Sequence, residues 1–270
     1  MTFGKLQRYE NVPSRYVLPR HVDVWCPPGY PDGAPYPVMY MQDGQNLFDD
    51  AVAYGGISWG IDLAMAELIQ AETTRGAVVV GIWNSEIRWR EYMPQKVYES
   101  PEFEKHRSEF LEATGGEPVS DFYLRFLVEE VKPFIDAHYN ILHGPANTFV
   151  MGSSMGGLIS LYAVSEHPGV FGGAACLSTH WPAGGDALVS QLGRSLPDPA
   201  THRIYFDFGT QTLDADYEPY QRKMDRALRR AGYIEGKNCM TRKFEGAEHS
   251  ERSWRERVRI PLSFLLAQVK

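Results

Sequence analysis

Cysteine is scarce in this chain. Three residues in 270, Cys26, Cys176 and Cys239, are an odd number and too few for a disulfide framework, which favours a reducing compartment. A basic excess is also missing. The formal charge of −7 argues against a nucleic-acid partner, which would call for a basic face. No apolar run is long enough to span a bilayer, and the opening "MTFGKLQRYENV" has no apolar h-region, so no membrane partner and a cytoplasmic location are expected. There is no H-E-x-x-H, no paired C-x-x-C, no carboxylate-rich loop of ligand spacing, and no Walker A or dinucleotide fingerprint. Neither a metal nor a cofactor is therefore expected. Internal repeats and low-complexity linkers are absent, so a chain with 43% hydrophobic residues is read as one domain over 1–270.

What is present is an alternation of β-type runs with segments of helical period, the pattern of βαβ units and an α/β fold with a mostly parallel sheet and helices on both faces. The predicted strands are 21–27, 36–44, 76–84, 147–153, 172–181, 202–210 and 239–246. Helices are predicted between them. "SWGIDLAMAELIQAE" puts Ile61, Ala64, Met65, Leu68 and Ile69 on one face, and "DFYLRFLVEEVKPFIDAHY" does so with Phe122, Phe126, Leu127 and Val131. Others are expected over 155–167, 216–232 and 251–267. The stretch 85–119 is polar, charged and without strand pattern, and reads as a lid or binding-loop insertion.

One stretch carries chemistry. In "TFVMGSSMGGLISLYA" a β-type run ends in Gly152-Ser153-Ser154-Met155-Gly156 and a helix begins. A serine there is either an N-cap or a nucleophile lifted on a sharp strand-to-helix turn, whose tightness requires small neighbours. A serine nucleophile needs a base, and the base needs an acid. In this arrangement the acid and then the base follow in later post-strand loops. His249 lies between the last predicted strand and the last helix, unlike the other seven histidines, and is taken as the base. Asp207 falls inside a strand and would face the sheet. Past that strand, Asp214 is taken as the acid and Asp216 remains the alternative, each also suited to capping the next helix. An oxyanion hole is expected from the backbone N–H of Met155 and, in the turn after "PVMYMQDG", that of Gln45.

With these residues in hand, the chain resembles the putative esterase family of α/β-hydrolases, whose relatives include siderophore trilactone esterases, feruloyl and acetyl-xylan esterases, S-formylglutathione hydrolase and mycolyltransferases. The resemblance rests on "YMQDGQNLFD", "GIWNSEIRWREYMP", "GSSMGGLISLYA", "FDFGTQTLDADY" and "EGAEHSERSW". It implies Ser154 as nucleophile, His249 as base, Gln45 and Met155 as oxyanion donors, and an acid after Gly209. In that family the acid varies, and some members resemble Ser–His dyads.

Aromatic residues gather near predicted strand ends: Trp59, Trp83, Trp89, Tyr92 and Trp181. They read either as core or as flat walls for an aromatic or sugar-bearing small-molecule ester. His180 and Trp181, ending "LSTHW", and Trp59 are the candidate substrate contacts. Arg88, with Arg90 and Glu91, is read as a substrate contact or as a salt-bridged loop anchor. Cofactor-independent ester hydrolysis is the expected activity. Acyl transfer to a sugar or other alcohol, and a non-catalytic binding protein of the same fold, are the alternatives.

Overall fold

A computed structural model describes residues 4–33 and 35–267. Eight strands form one sheet: β1 (Lys5–Val12), β2 (Arg20–Cys26), β3 (Val38–Gln42), β4 (Val78–Ile82), β5 (Thr148–Ser153), β6 (Gly173–Leu177), β7 (Arg203–Phe208) and β8 (Cys239–Lys243). Their spatial order is β1-β2-β4-β3-β5-β6-β7-β8. The pairs β1·β2 and β2·β4 are antiparallel and the rest parallel. The fold class is thus α/β of the α/β-hydrolase type.

All seven predicted strands form, six of them trimmed at one or both ends and β2 displaced by one residue toward the N-terminus. β1 was not predicted. It lies at the sheet edge with mostly exposed side chains, so its backbone pairing with β2, Lys5 opposite Cys26 through Tyr9 opposite Val22, leaves no alternating apolar pattern to read.

The helices are α1 (Ile61–Gln70), α2 (Arg88–Tyr92), α3 (Gln95–Tyr98), α4 (Glu104–Thr114), α5 (Ser120–Arg125), α6 (Lys132–His138), α7 (Met155–Glu166), α8 (Gly185–Arg194), α9 (Glu218–Arg230), α10 (Glu251–Arg257) and α11 (Arg259–Leu266). A π-helical segment, Phe126–Val131, joins α5 to α6. It shifts the phase of the apolar face: Phe126, Leu127 and Val131 are buried as expected, but Phe122 is exposed and Tyr123 and Leu124 are buried instead. One side of the sheet packs on α2 to α9 and the other on α1, α10 and α11, giving two apolar layers. Strands covered on both faces read as the continuous valine- and methionine-rich runs seen in β3, β4 and β5.

The segment 85–119 departs from its expected irregularity. It contains α2, α3 and α4, and Tyr92, Met93, Val97, Tyr98, Phe103 and Phe110 are all buried in the main core. Its apolar residues are too widely spaced among charges to show a period in a single helix, because three short helices each contribute a few. Among the described residues no helix is long and apolar enough to cross a membrane.

Candidate active site

The parallel register aligns the carboxyl ends of the central strands, with Ser153 opposite Leu177 and Leu177 opposite Asp207. The chain leaves β3 toward β4 on one side, while β5 adds on the other. That is the switch point at which clefts open in such sheets.

Ser154 follows β5 with φ 57° and ψ −124°, a conformation unfavourable for any residue but glycine. Its surroundings hold it there. Its N–H donates to Leu177 O (2.9 Å), and its carbonyl accepts from the N–H groups of Gly157 (3.0 Å) and His180 (3.2 Å). Only glycine fits at 152: a Cβ there would lie 2.6 Å from Gly156 O and 2.7 Å from Gly156 C. Although Ser154 stands where α7 begins, its side chain makes no capping hydrogen bond, which removes the N-cap explanation for the serine. Among the described residues Ser154 Oγ has no hydrogen-bond partner, and both Ser154 and His249 line one cleft of about 450 Å³. Hydrogen bonds of this kind commonly tighten only when substrate binds.

His249 Nδ1 lies 2.6 Å from Asp214 Oδ1. Asp214 is 1% exposed, whereas Asp216 is exposed, so the structure brings the first of the two alternatives to the histidine. Asp214 Oδ2 accepts from Ser178 Oγ (2.6 Å) and from the Gly209 N–H. Burial opposes its ionisation, but the hydrogen bonds from His249 and Ser178 prevail and hold the carboxyl below its ordinary range. Asp207 faces the sheet interior as expected and accepts from Arg257 Nη2 (2.9 Å) and the Tyr205 hydroxyl (3.0 Å).

Sequence reasoning missed the layer behind Asp214. Ser178 Oγ also accepts from Arg257 Nη2 (2.8 Å) and Trp254 Nε1 (3.0 Å). Tryptophan and arginine nitrogens only donate, so the Ser178 proton is directed to Asp214. Trp254 in turn stands edge-on to His249, with ring centroids 5.0 Å apart, and lines the cleft. Both residues sit in segments with a visible signal, "LSTHW" and "EGAEHSERSW", but their roles depend on contacts 76 and 79 positions apart.

Met155 is the first residue of α7, and Gln45 is the middle residue of the 3-10 turn Gly44–Asn46. N–H groups at such helix starts have no intrahelical acceptor. Gln45 lines the cleft, and its Oε1 accepts from the Asn84 N–H (3.2 Å).

Of the predicted substrate contacts, Arg88 lines the cleft and is also anchored. Its Nε and Nη2 donate to the two Asp43 oxygens at 2.7 Å each. Arg90 and Glu91 are anchors only: Arg90 Nε donates to Glu117 O (2.8 Å), and the buried Glu91 pairs with Arg20. His180 is half-buried, its ring centroid 5.4 Å from Trp89 and 6.3 Å from His249. Its Nδ1 bonds the Tyr217 hydroxyl. Burial, then the neighbouring His249 and Arg88, push its pKa down to about 4.

Trp59 and Trp181 require correction. Trp59 is 2% exposed and packs on Trp254 beneath the cleft, and Trp181 is 1% exposed with its Nε1 donating to Gln221 (3.1 Å). A large ring at a strand end can turn inward as readily as outward, and both are core. The aromatic lining comes instead from Tyr54, Trp89 and Trp254. Among the described residues no group of three or more His, Cys, Asp or Glu side chains is arranged to hold a metal ion.

Sheet, turn and cleft together define an α/β-hydrolase fold, and the family match makes the class that of the carboxylic-ester hydrolases. The chain belongs to the family described as "Putative esterase", whose profile matches residues 17–259. It is 24% identical over 238 residues, 85% of this chain and 86% of the other, to the uncharacterized protein YbbA of Bacillus subtilis (strain 168). Its fold is similar to that of a ferulic acid esterase (TM-score 0.69, 15% identity, covering 97% of this chain and 98% of that one). It is also similar to that of an IroE-like serine hydrolase from Shewanella oneidensis (0.69, 17%, 97% and 79%) and of the enterobactin and salmochelin hydrolase IroE (0.62, 19%, 97% and 96%).

Proposed function

We propose that the protein hydrolyses small-molecule carboxylic esters through a Ser154 acyl-enzyme, as one domain and without a cofactor. His249 Nε2 takes the Ser154 hydroxyl proton as Oγ attacks the ester carbonyl carbon. The oxyanion rests on the Met155 and Gln45 N–H groups, and collapse expels the alcohol, which takes the proton back from His249. Water, deprotonated by His249, then attacks the acyl-enzyme and releases the acid. Asp214 stays ionised throughout, fixing the Nδ1–H tautomer and stabilising the imidazolium.

The observation that carries this reading is the strained Ser154 turn opening into the same cleft as His249, whose Nδ1 is 2.6 Å from a buried carboxylate. Tyr54 and Trp89, 76% and 44% exposed, line the cleft and suit a flat or ring-bearing substrate. Segment 85–119 acts as the binding loop that presents Trp89 and Arg88. Three buried, unbridged cysteines fit a cytoplasmic setting.

The test is a burst assay with p-nitrophenyl acetate beside fluorophosphonate labelling. Wild type gives a stoichiometric burst and label, and Ser154→Ala gives neither. A folded wild type without burst or label refutes the reading.

A further inference from the structure

Four carboxylate, guanidinium or imidazole side chains line the cleft: Asp43, Arg88, His249 and Glu251. Arg88 and Asp43 neutralise each other through two hydrogen bonds, and Asn84 Nδ2 adds a third to Asp43 (2.7 Å). His249 is held by Asp214. Glu251 is different. Among the described residues it has no ion pair and no side-chain hydrogen bond to another residue, although it is half-buried.

A carboxylate in the first turn of α10 is favoured by the helix dipole, and that accounts for an acid at this position. It does not account for one left unmatched at a cleft wall. Burial, and less strongly repulsion from Asp43, raise its pKa against the lowering by its own backbone N–H, His249 and Arg88. A half-buried carboxylate without a cationic partner gains from a ligand that brings the missing positive charge.

The rest of the lining suits the same ligand. Tyr54, Trp89 and Trp254 border the cleft, the first two among the exposed large apolar side chains and Trp254 nearly buried. Aromatic faces beside one free carboxylate form the environment that recognises a compact organic cation. Glu251 begins α10 two residues after His249 and lines the same cleft, and because His249 returns the proton to the departing alcohol, the alcohol part is the one we assign to Glu251.

We propose that the cleft selects esters whose alcohol part carries a positive charge, an ammonium group, and that Glu251 is the residue that selects it. This rests on the hydrolase reading given above.

The test uses the whole protein with two thioesters of the same shape: acetylthiocholine, and the neutral isostere in which the quaternary nitrogen is replaced by carbon. Each is followed by thiol release and also as a competitor of p-nitrophenyl acetate, so that slow turnover still reports binding. Wild type is expected to favour the cation by about tenfold in kcat/KM or in inhibition constant, less so as salt is raised. In Glu251→Gln the ratio between the two esters falls to near one, and in Glu251→Asp it is partly kept. Equal treatment of the two by wild type overturns the proposal while p-nitrophenyl acetate turnover leaves the hydrolase reading standing. A preference that survives Glu251→Gln overturns the role of Glu251. Absence of p-nitrophenyl acetate turnover in wild type removes the hydrolase reading and this proposal with it.

Discussion

Ser178→Ala isolates the support behind the acid from the acid itself. The Ser178 hydroxyl donates to Asp214 and accepts from both Trp254 and Arg257. Its removal leaves Asp214 with the Gly209 N–H and His249, and Arg257 with Asp207, but leaves Trp254 Nε1 without a hydrogen-bond partner. A hydrogen bond to a buried charged group contributes about 1.5–3 kcal/mol, and an orphaned buried donor costs about 1–3 kcal/mol. The terms share one atom and do not add fully. A destabilisation of about 3 kcal/mol is expected, which for a chain of this size lowers the melting temperature by roughly 6 °C or more.

Part of that loss depends on pH. Asp214 has a folded pKa below its unfolded value, so its contribution is fully present above the unfolded carboxylate value of about 3.9 and disappears as pH falls through the lower folded value. The gap between wild type and Ser178→Ala should therefore be widest above about pH 4 and narrow below it. Urea unfolding at several pH values measures this, with Thr179→Ala as control, because the Thr179 hydroxyl donates only to Cys176 O at 3.3 Å. A Ser178→Ala loss under about 0.5 kcal/mol at neutral pH would refute the account of this buried hydrogen-bond cluster.

Asp214→Asn is expected to reduce kcat by about 10⁴-fold, as loss of the acid partner does in a fully dependent triad. Asp216→Asn, at an exposed position, should stay within a few-fold of wild type on the same p-nitrophenyl acetate assay, and equal losses would show the acid to be misassigned. His180 should remain neutral down to about pH 4. Because an unfolded histidine takes a proton near about pH 6.5, its stability contribution falls by roughly 3 kcal/mol as pH drops from there to its folded value. An NMR titration of its ring C–H reads the midpoint directly, and one near the unfolded value would refute the burial argument.

Local chemistry was legible in the sequence. A valine- and methionine-rich run, two glycines around Ser154 and a helical period after it state a strand, a tight turn and a helix within sixteen residues, and each is decided by neighbours along the chain. The six interior strands were readable for the same reason, since burial on both faces leaves continuous apolar runs. His249 was recognisable by its place between a strand and a helix.

What the chain order could not supply was which distant groups meet. Asp214, taken as the acid, and its alternative Asp216 differ by two residues, and only the fold of the turn after β7 directs one inward and the other to solvent. Trp59 and Trp181 look like walls and are core, whereas Trp254 looked unremarked and is a wall. β1 shows no pattern because an edge strand is held by backbone hydrogen bonds, which carry no side-chain signature. Ser178, Arg257 and the unmatched Glu251 acquire meaning only where strand ends aligned by parallel register meet the α10 segment. The sequence by itself determined the interior strands, most of the long helices and the turn at Ser154, because those follow from short-range sterics and periodicity. The tertiary structure alone decided which carboxylate meets His249, which rings line the cleft and which charges are paired, because burial and electrostatics depend on distance in space.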